Sequence, residues 1–375
     1  MRKRRPFVRR RWLREGERLT QRWQPGRWRW NGSAGLLPLL LFVLAPLHLR
    51  AQTVYAVVFG DQSRVVGAST LNSGLFRSTD MGHTWEHLGP ENLKAFSMDA
   101  VESAGGRLLF IAAGNGVHRS LDSGRTWRVV TGWRVTEVLD VAVKQNDPRW
   151  VYAATAYGVW YSNDTGSTWR PARDTALGRY AYRLMIDGER LLVAREADVV
   201  VVPLPDLSIP PRQKHIPVPL PRGFMYDTEG TGTRDLLVFG RNSLSYLEAD
   251  TIKADDSLFA WKGFPKDGLP AANWYGGTPG GECQLLCGDS GVWRIWMTDT
   301  HINGVPVLWH DISDGLPTRV VHSLVSLSPN SLLLAGTWGH GVWSQREGGS
   351  PPEGRWRQSG LEGCQVWRLV VKRWK

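Results

Sequence analysis

Residues that could do chemistry in this chain are few, and the most regular of them are aspartates. Asp80, Asp122 and Asp164 recur at an interval of 42 residues, each two positions after a serine and four before a threonine. A carboxylate so placed could act as a nucleophile or a general acid. It is also the acceptor that a tight turn needs, because an aspartate bonds backbone N–H groups two residues on. Glycoside cleavage would instead require two carboxylates about 5–10 Å apart across a cleft. Asp99 and Asp140, in apolar segments ahead of two of the repeated turns, are the weak candidates for that pair. Asp99 lies 21 residues before Ser120 and Asp140 lies 22 before Ser162. Strand alternation on that count predicts opposite faces and no convergence.

Other chemistries have less support. There is no Gly-x-Ser-x-Gly elbow, and the nine histidines show no recurring partner. His118 stands where Phe76 and Trp160 stand in the aligned segments, and it reads as a packed strand residue. Cys283 and Cys287 are four apart in an apparent strand, which separates them by about 13 Å and rules out a local disulfide. The three cysteines show no CxxC spacing, and no metal site is expected. No phosphate-cradling glycine pattern follows a strand. No cofactor is expected.

The aspartates belong to a longer repeat. Gly74-Leu-Phe-Arg-Ser-Thr-Asp-Met-Gly-His-Thr-Trp85 aligns without gaps with Gly116-Val-His-Arg-Ser-Leu-Asp-Ser-Gly-Arg-Thr-Trp127 and Gly158-Val-Trp-Tyr-Ser-Asn-Asp-Thr-Gly-Ser-Thr-Trp169. The shared pattern is Ser-x-Asp-x-Gly-x-Thr-Trp: Ser78, Asp80, Gly82, Thr84 and Trp85, then Ser120, Asp122, Gly124, Thr126 and Trp127, then Ser162, Asp164, Gly166, Thr168 and Trp169. Each copy reads as two strands joined by a turn. The aspartate closes that turn, the glycine takes a positive φ, and the tryptophan anchors the outer strand. Self-similarity at 40–50 residues with short strands is the mark of propeller blades.

Beyond Trp169 the turn pattern fades while the strand pattern persists, at Asp198-Val199, Ser243-Leu244, Gly291-Val292-Trp293 and Gly341-Val342-Trp343. Closing tryptophans follow at Trp261, Trp309 and Trp356, and Asp-Gly-Leu-Pro occurs at Asp267–Pro270 and Asp314–Pro317, just before new inner strands. The expectation is an all-β chain forming a single β-propeller of seven four-stranded blades, over about 53–90, 95–131, 136–173, 180–220, 223–265, 272–313 and 320–360. A proline-rich insertion, Pro203 to Pro221, blurs the fourth and fifth. Cys364–Val371 reads as one more strand. It could close the ring on the first blade, although Val54–Phe59 already reads as that blade's inner strand, or it could begin an eighth blade in an incomplete array.

The formal charge of +11 sits in a leader. Residues 1–52 hold 13 Lys/Arg against two acids, which leaves 33 of each sign from Thr53 onward. A neutral body without a basic face excludes nucleic acid as an expected partner. Within the leader, residues 35–49 form an apolar run of about 15 residues, too short at ~1.5 Å per residue to span a ~30 Å hydrocarbon core. It fits a secretory signal cleaved near Ala51-Gln52, with an uncleaved signal-anchor as the alternative and the sole expected membrane contact. Either places residues 53–375 in a periplasmic, cell-surface or secreted setting.

On these motifs the chain resembles the Asp-box (BNR-repeat) propeller superfamily. That group includes sialidases, xyloglucan-active glycoside hydrolases, sortilin-type receptors and photosystem II assembly factors. The Asp-Gly-Leu-Pro loops also look like those of sensor propellers on two-component regulators. Strong matching covers residues 74–169. The resemblance implies architecture and leaves function open. A sialidase-like reading would need an arginine cluster, and Arg64, Arg134 and Arg183 are scattered with no Arg-Ile-Pro segment before the first repeat.

Function is therefore expected on loops. The repeated turns lie on one propeller face, so the opposite face carries the loops between second and third strands and the crossovers between blades. There the candidates are Asn115, Tyr157, Trp338 and His340 in short loops, and Trp133, Arg134, Trp274 and Tyr275 in crossovers. Aromatics beside an arginine suit protein-binding hot spots and can also stack on sugars. The expectation is a non-enzymatic scaffold for protein partners, with a glycan-binding or glycan-cleaving propeller as the alternative.

Overall fold

The computed structural model describes residues 52–374 apart from 62–72, 174–176, 178–179, 208–213, 218–220, 228–234, 248–261, 264–265, 267, 280–282, 297–307, 328–331 and 347–353. The leader and signal expected over 1–52, Gln52 excepted, and also Arg64, Trp261 and Asp267, lie outside the described residues.

The described residues form seven four-stranded antiparallel sheets. Their innermost strands are Cys364–Arg373, Ala95–Ser103, Val138–Val143, Ala181–Asp187, Pro221–Asp227, Trp274–Pro279 and Val321–Leu327. Each packs against the next, and Cys364–Arg373 packs against both Val321–Leu327 and Ala95–Ser103, so the circle closes. The chain is a seven-bladed β-propeller, and the eight-bladed alternative falls.

Blade stacking explains the strand sequences. A middle strand is covered on both faces by neighbouring blades, so it reads as an unbroken apolar run. Gly106–Ala113, Val151–Thr155 and Cys283–Gly288 are almost entirely buried. Outer strands such as Arg128–Val129 and Arg170–Pro171 face solvent and are short and polar. The cores lie between blades. In one of them Leu285, Cys287 and Val292 of the sixth blade meet Val321, Leu324 and Trp356 of the seventh. The three cysteines are buried free thiols, and burial raises the Cys287 pKa.

The first blade corrects one expectation. Val54–Phe59 lies within the second strand of that blade, Gln52–Asp61, and the innermost position belongs to Cys364–Arg373. Both ends of the described chain therefore meet in one sheet. Trp374, 4% exposed, fixes the junction by donating its indole N–H to Thr53 Oγ1 at 2.7 Å.

Each repeated turn has the same bonding. In the second, Ser120 donates to Asp122 Oδ1 at 2.8 Å and accepts the Gly124 N–H at 2.8 Å. Asp122 accepts the Thr126 N–H at 2.9 Å and its hydroxyl at 2.7 Å, and the Trp127 indole donates to Gly124 O at 2.9 Å. The carboxylate thus takes an N–H four residues on, while the serine takes the N–H two residues after the aspartate. These bonds hold Asp80, Asp122 and Asp164 at a pKa of about 2.

The turns also join blades. Gly124 has φ +94, and a Cβ there would lie 2.7 Å from Leu88 of the preceding blade. The first turn docks on the seventh blade, where Ser359 Oγ donates to Gly82 O at 2.9 Å and the Trp85 indole donates to Ser359 O at 2.9 Å. The third docks on the second blade, where Arg119 donates to Thr165 O at 2.6 Å. Trp309 and Trp356 are 3% and 2% exposed and are inter-blade core. The proline-rich stretch holds an outer strand, Lys214–Pro217, and ends where Pro221 opens the next inner strand. Edge and first-residue positions are those where a strand tolerates proline.

Candidate functional site

Antiparallel order puts the repeated turns at one end of the propeller and the loops between second and third strands, with the blade crossovers, at the other. On that crossover end every innermost strand is interrupted, that of the first blade twice. The register skips a residue at Phe96, Leu139, Tyr182, Arg222, Tyr275, His322 and Trp367, always the second residue of an Ala95-Phe96-Ser97 type step. A bulge leaves its extra residue unpaired and re-aims the side chain. All seven of these side chains line one cavity of about 390 Å³, together with Tyr180 and Arg183. A second cavity of about 270 Å³ shares Arg183, Tyr275 and His322. It exists because Gly223, Gly276 and Gly277 leave room, and a Cβ on Gly276 would lie 2.8 Å from Cys287 Sγ.

The mouth is aromatic. His322 stacks on Tyr275 at 4.6 Å and lies 4.8 Å from Trp367 and 4.9 Å from Trp338, ring centre to ring centre. Phe59 stacks on Trp367 at 4.8 Å and meets Phe96 edge-on at 5.5 Å. Across the opening the Arg222 guanidinium covers Tyr182 at 5.4 Å. Burial, with Arg183 nearby, lowers the His322 pKa to about 4, so the imidazole is neutral at pH 7.

Below the bulges lies a further tier, the residue that follows each bulge: Ser97, Asp140, Arg183, Gly223, Gly276, Ser323 and Arg368. Asp140 is 1% exposed and accepts Arg368 at 2.6 Å, the Ser97 hydroxyl, and the Leu184 N–H of the next blade at 2.9 Å. Burial alone would raise its pKa, but Arg368, Arg183 and these hydrogen bonds hold it below the ordinary aspartate value. Ser323 likewise accepts the Leu369 N–H of the next blade at 2.9 Å. Asp99 pairs with Lys372 and accepts the Val143 N–H at 2.8 Å.

Asp99 and Asp140 thus each tie one blade to the next. The sequence count for them fails because a long loop, residues 144–150, follows the inner strand of the third blade, whereas the second blade turns at residues 104–105. Register places Asp140 level with Ser97. It therefore shares a strand face with Asp99, two positions away, and both carboxylates are held by a cation and by backbone N–H groups.

Of the expected ligand-face residues, Trp133 and Tyr157 are 82% and 64% exposed. Arg134 covers the Trp133 ring at 5.2 Å, and Asn115 Oδ1 accepts from His118 Nε2 at 2.8 Å. His118 itself is buried. Trp338 and Tyr275 meet through His322 in the aromatic mouth. Tyr275 opens an inner strand and is not on a crossover loop, and Trp274 beside it is 2% exposed and packed in core. His340 is exposed, and its carbonyl accepts the Trp343 indole at 2.9 Å. Sequence reading missed six of the seven bulged residues. The signal was a bulky residue near the start of each inner strand, second in six of them and fourth in Cys364–Arg373, visible only once the strands are aligned from the turn that follows. Among the described residues no group of three or more His, Cys, Asp or Glu is placed to hold a metal.

No known family's sequence pattern matches the chain, and no curated protein matches it in sequence. Solved structures match its fold. The extracellular domain of BT4673 of B. thetaiotaomicron, described as a hybrid two-component system, superposes with a TM-score of 0.56 at 12% identity over 76% of this chain and 36% of that one. A Bacteroides uniformis protein described as a 6-phosphogluconolactonase gives 0.55 at 12% identity over 86% and 100%. PorZ, a surface component of the type-IX secretion system of Porphyromonas gingivalis, gives 0.50 at 14% identity over 73% and 44%. The chain spans little more than a third of the BT4673 domain. At these identities the likeness is one of fold.

Proposed function

We propose that this chain is an exported, non-enzymatic Asp-box propeller that binds a protein partner through its crossover face. The observation that carries this reading is the convergence of seven bulged, mostly aromatic side chains on one axial mouth, flanked by exposed Trp133, Arg134 and Tyr157. Aromatic and arginine side chains dominate the energetics of protein interfaces, and no comparable aromatic cluster lies on the turn face among the described residues. The extracytoplasmic setting rests on the leader expected at residues 1–52. The fold it shares with the extracellular domain of a two-component system and a secretion-system surface component supports it. An assembly or surface role is the form of binding that suits such a propeller.

Glycan binding or cleavage is the rival reading, and the aromatic mouth is what favours it. A glycan array probed with the purified chain, and turnover of fluorogenic glycosides by the wild type and by Asp99→Asn and Asp140→Asn, separate the two. The protein-binding reading expects no array signal above background and no turnover. Saturable binding to one glycan class, or turnover lost in either variant, would replace it.

A further inference from the structure

Arg183 carries a charge that the fold leaves unanswered. Among the described residues its one hydrogen bond is from Nε to Arg222 O at 3.4 Å, so both terminal nitrogens of its fork lack a protein acceptor. The nearby carboxylate does not hydrogen-bond it. Asp140 gives one oxygen to Arg368 and Ser97 and the other to the Leu184 N–H. Arg368 and Arg222 also face this space, the latter at its rim, so the tier is net positive. Burial and the facing Arg368 lower the Arg183 pKa to about 9 against the pull of Asp140, which leaves it charged at pH 7 in a tier whose positive charge Asp140 only partly offsets.

Its position is equally specific, because Arg183 lines both cavities and stands at their junction, beneath the ring of Tyr275, His322 and Trp367. A cavity of about 390 Å³ falls within the ~300–1,000 Å³ that hold small ligands. A guanidinium fork matches a carboxylate bidentately, and it does so most strongly where water is excluded.

We propose that the axial cavity binds a small organic carboxylate with an apolar or planar body. The Arg183 fork holds the carboxylate and the body packs against Tyr275, His322 and Trp367. This site goes beyond the protein-binding reading and does not depend on it, since a small molecule can occupy the cavity whether or not a protein covers the face.

The test is calorimetry, with tryptophan fluorescence as a second signal, on the purified full chain titrated with phenylacetate. Phenethylamine and 2-phenylethanol are its cationic and neutral counterparts, and glucuronate is an anion with a polar body. Phenylacetate is expected to saturate the protein, with each of the other three at least about tenfold weaker. Arg183→Gln is expected to weaken phenylacetate about 10–100-fold, and Arg183→Lys to restore only part of the loss. Equal binding of the amine or the alcohol to wild type overturns the proposal whatever the variants do. So does an unchanged isotherm in Arg183→Gln, or no saturable binding at millimolar phenylacetate. Tighter binding of glucuronate overturns the apolar body and points to a sugar acid.

Discussion

A chain ending at Gly363 does not form the ring. The missing strand supplies the innermost edge of the first blade and the contact that joins it to the seventh. Cys364, Val366, Leu369 and Trp374 are each at most 4% exposed, and at roughly 1.5–3 kcal/mol per buried apolar side chain their loss amounts to about 6–12 kcal/mol. That is comparable to the ~5–15 kcal/mol by which a whole domain is stable. Truncation also leaves Thr53 to Val58 as an unpaired apolar edge, an invitation to aggregation. Differential scanning fluorimetry and limited proteolysis should show no cooperative transition for this truncated chain. Leu369→Ala, at a cost of about 2–5 kcal/mol, should lower the midpoint while keeping one transition. A truncated chain melting within a few degrees of the full one would mean that the ring is held shut by something else.

Arg368→Met produces the second large loss. It removes the nearest cation from Asp140, which sits 1% exposed between two blades. Breaking a buried pair from one side costs about 3–5 kcal/mol, whereas replacing both partners is often close to neutral. The double variant Asp140→Asn with Arg368→Met should therefore recover most of the loss in denaturant titration. The pH dependence has a definite sign. The folded pKa of Asp140 is below its ordinary value, so its contribution is present above about pH 4 and fades as the folded carboxyl takes up a proton. The three turn aspartates, held at about 2, act in the same direction. Stability of the wild type should begin to fall below about pH 6.5, where His322 takes up a proton in the unfolded chain alone, and should fall again, more steeply, from about 4 towards 2. In the double variant that fall should be shallower.

What was legible in the sequence follows from how locally each feature is determined. The Ser-x-Asp-x-Gly-x-Thr-Trp turns close on their own residues, so their bonding could be read from one copy and counted from three. Third strands announce themselves by the glycine or small residue that opens them, and Gly291 and Gly341 mark strand starts as expected. The Asp-Gly-Leu-Pro loops were correctly placed before inner strands. Their role became clear only in three dimensions, where Gly315 has φ +91 and a Cβ on it would lie 3.0 Å from the Trp356 carbonyl oxygen in the following blade.

Features set by pairing between strands were hidden. Nothing in Cys364–Val371 or Val54–Phe59 says which lies nearer the axis, because both are apolar and both are covered. The bulges are defined by a partner strand's register, so the residue step at Phe96 or His322 looks like any other alternation. That hidden step also concealed Trp367, which no loop rule would select, while unequal loops after the inner strands spoiled the comparison of Asp99 with Asp140. Tyr275 and Trp338 were reached for a different reason, as aromatics near loops, and the structure joins them through a histidine that the sequence did not single out.

The claim on which the functional reading rests is that partners meet the crossover face. A photo-reactive amino acid placed singly at Trp133, Tyr157 or Leu121, in the chain expressed in its native envelope, tests it directly. All three positions are more than half exposed, and Leu121 lies on the repeated-turn face. A cross-linked adduct of one defined mass from Trp133 and Tyr157, absent from Leu121, is the predicted result. Adducts from Leu121 alone, or the same adducts from all three positions, would contradict it.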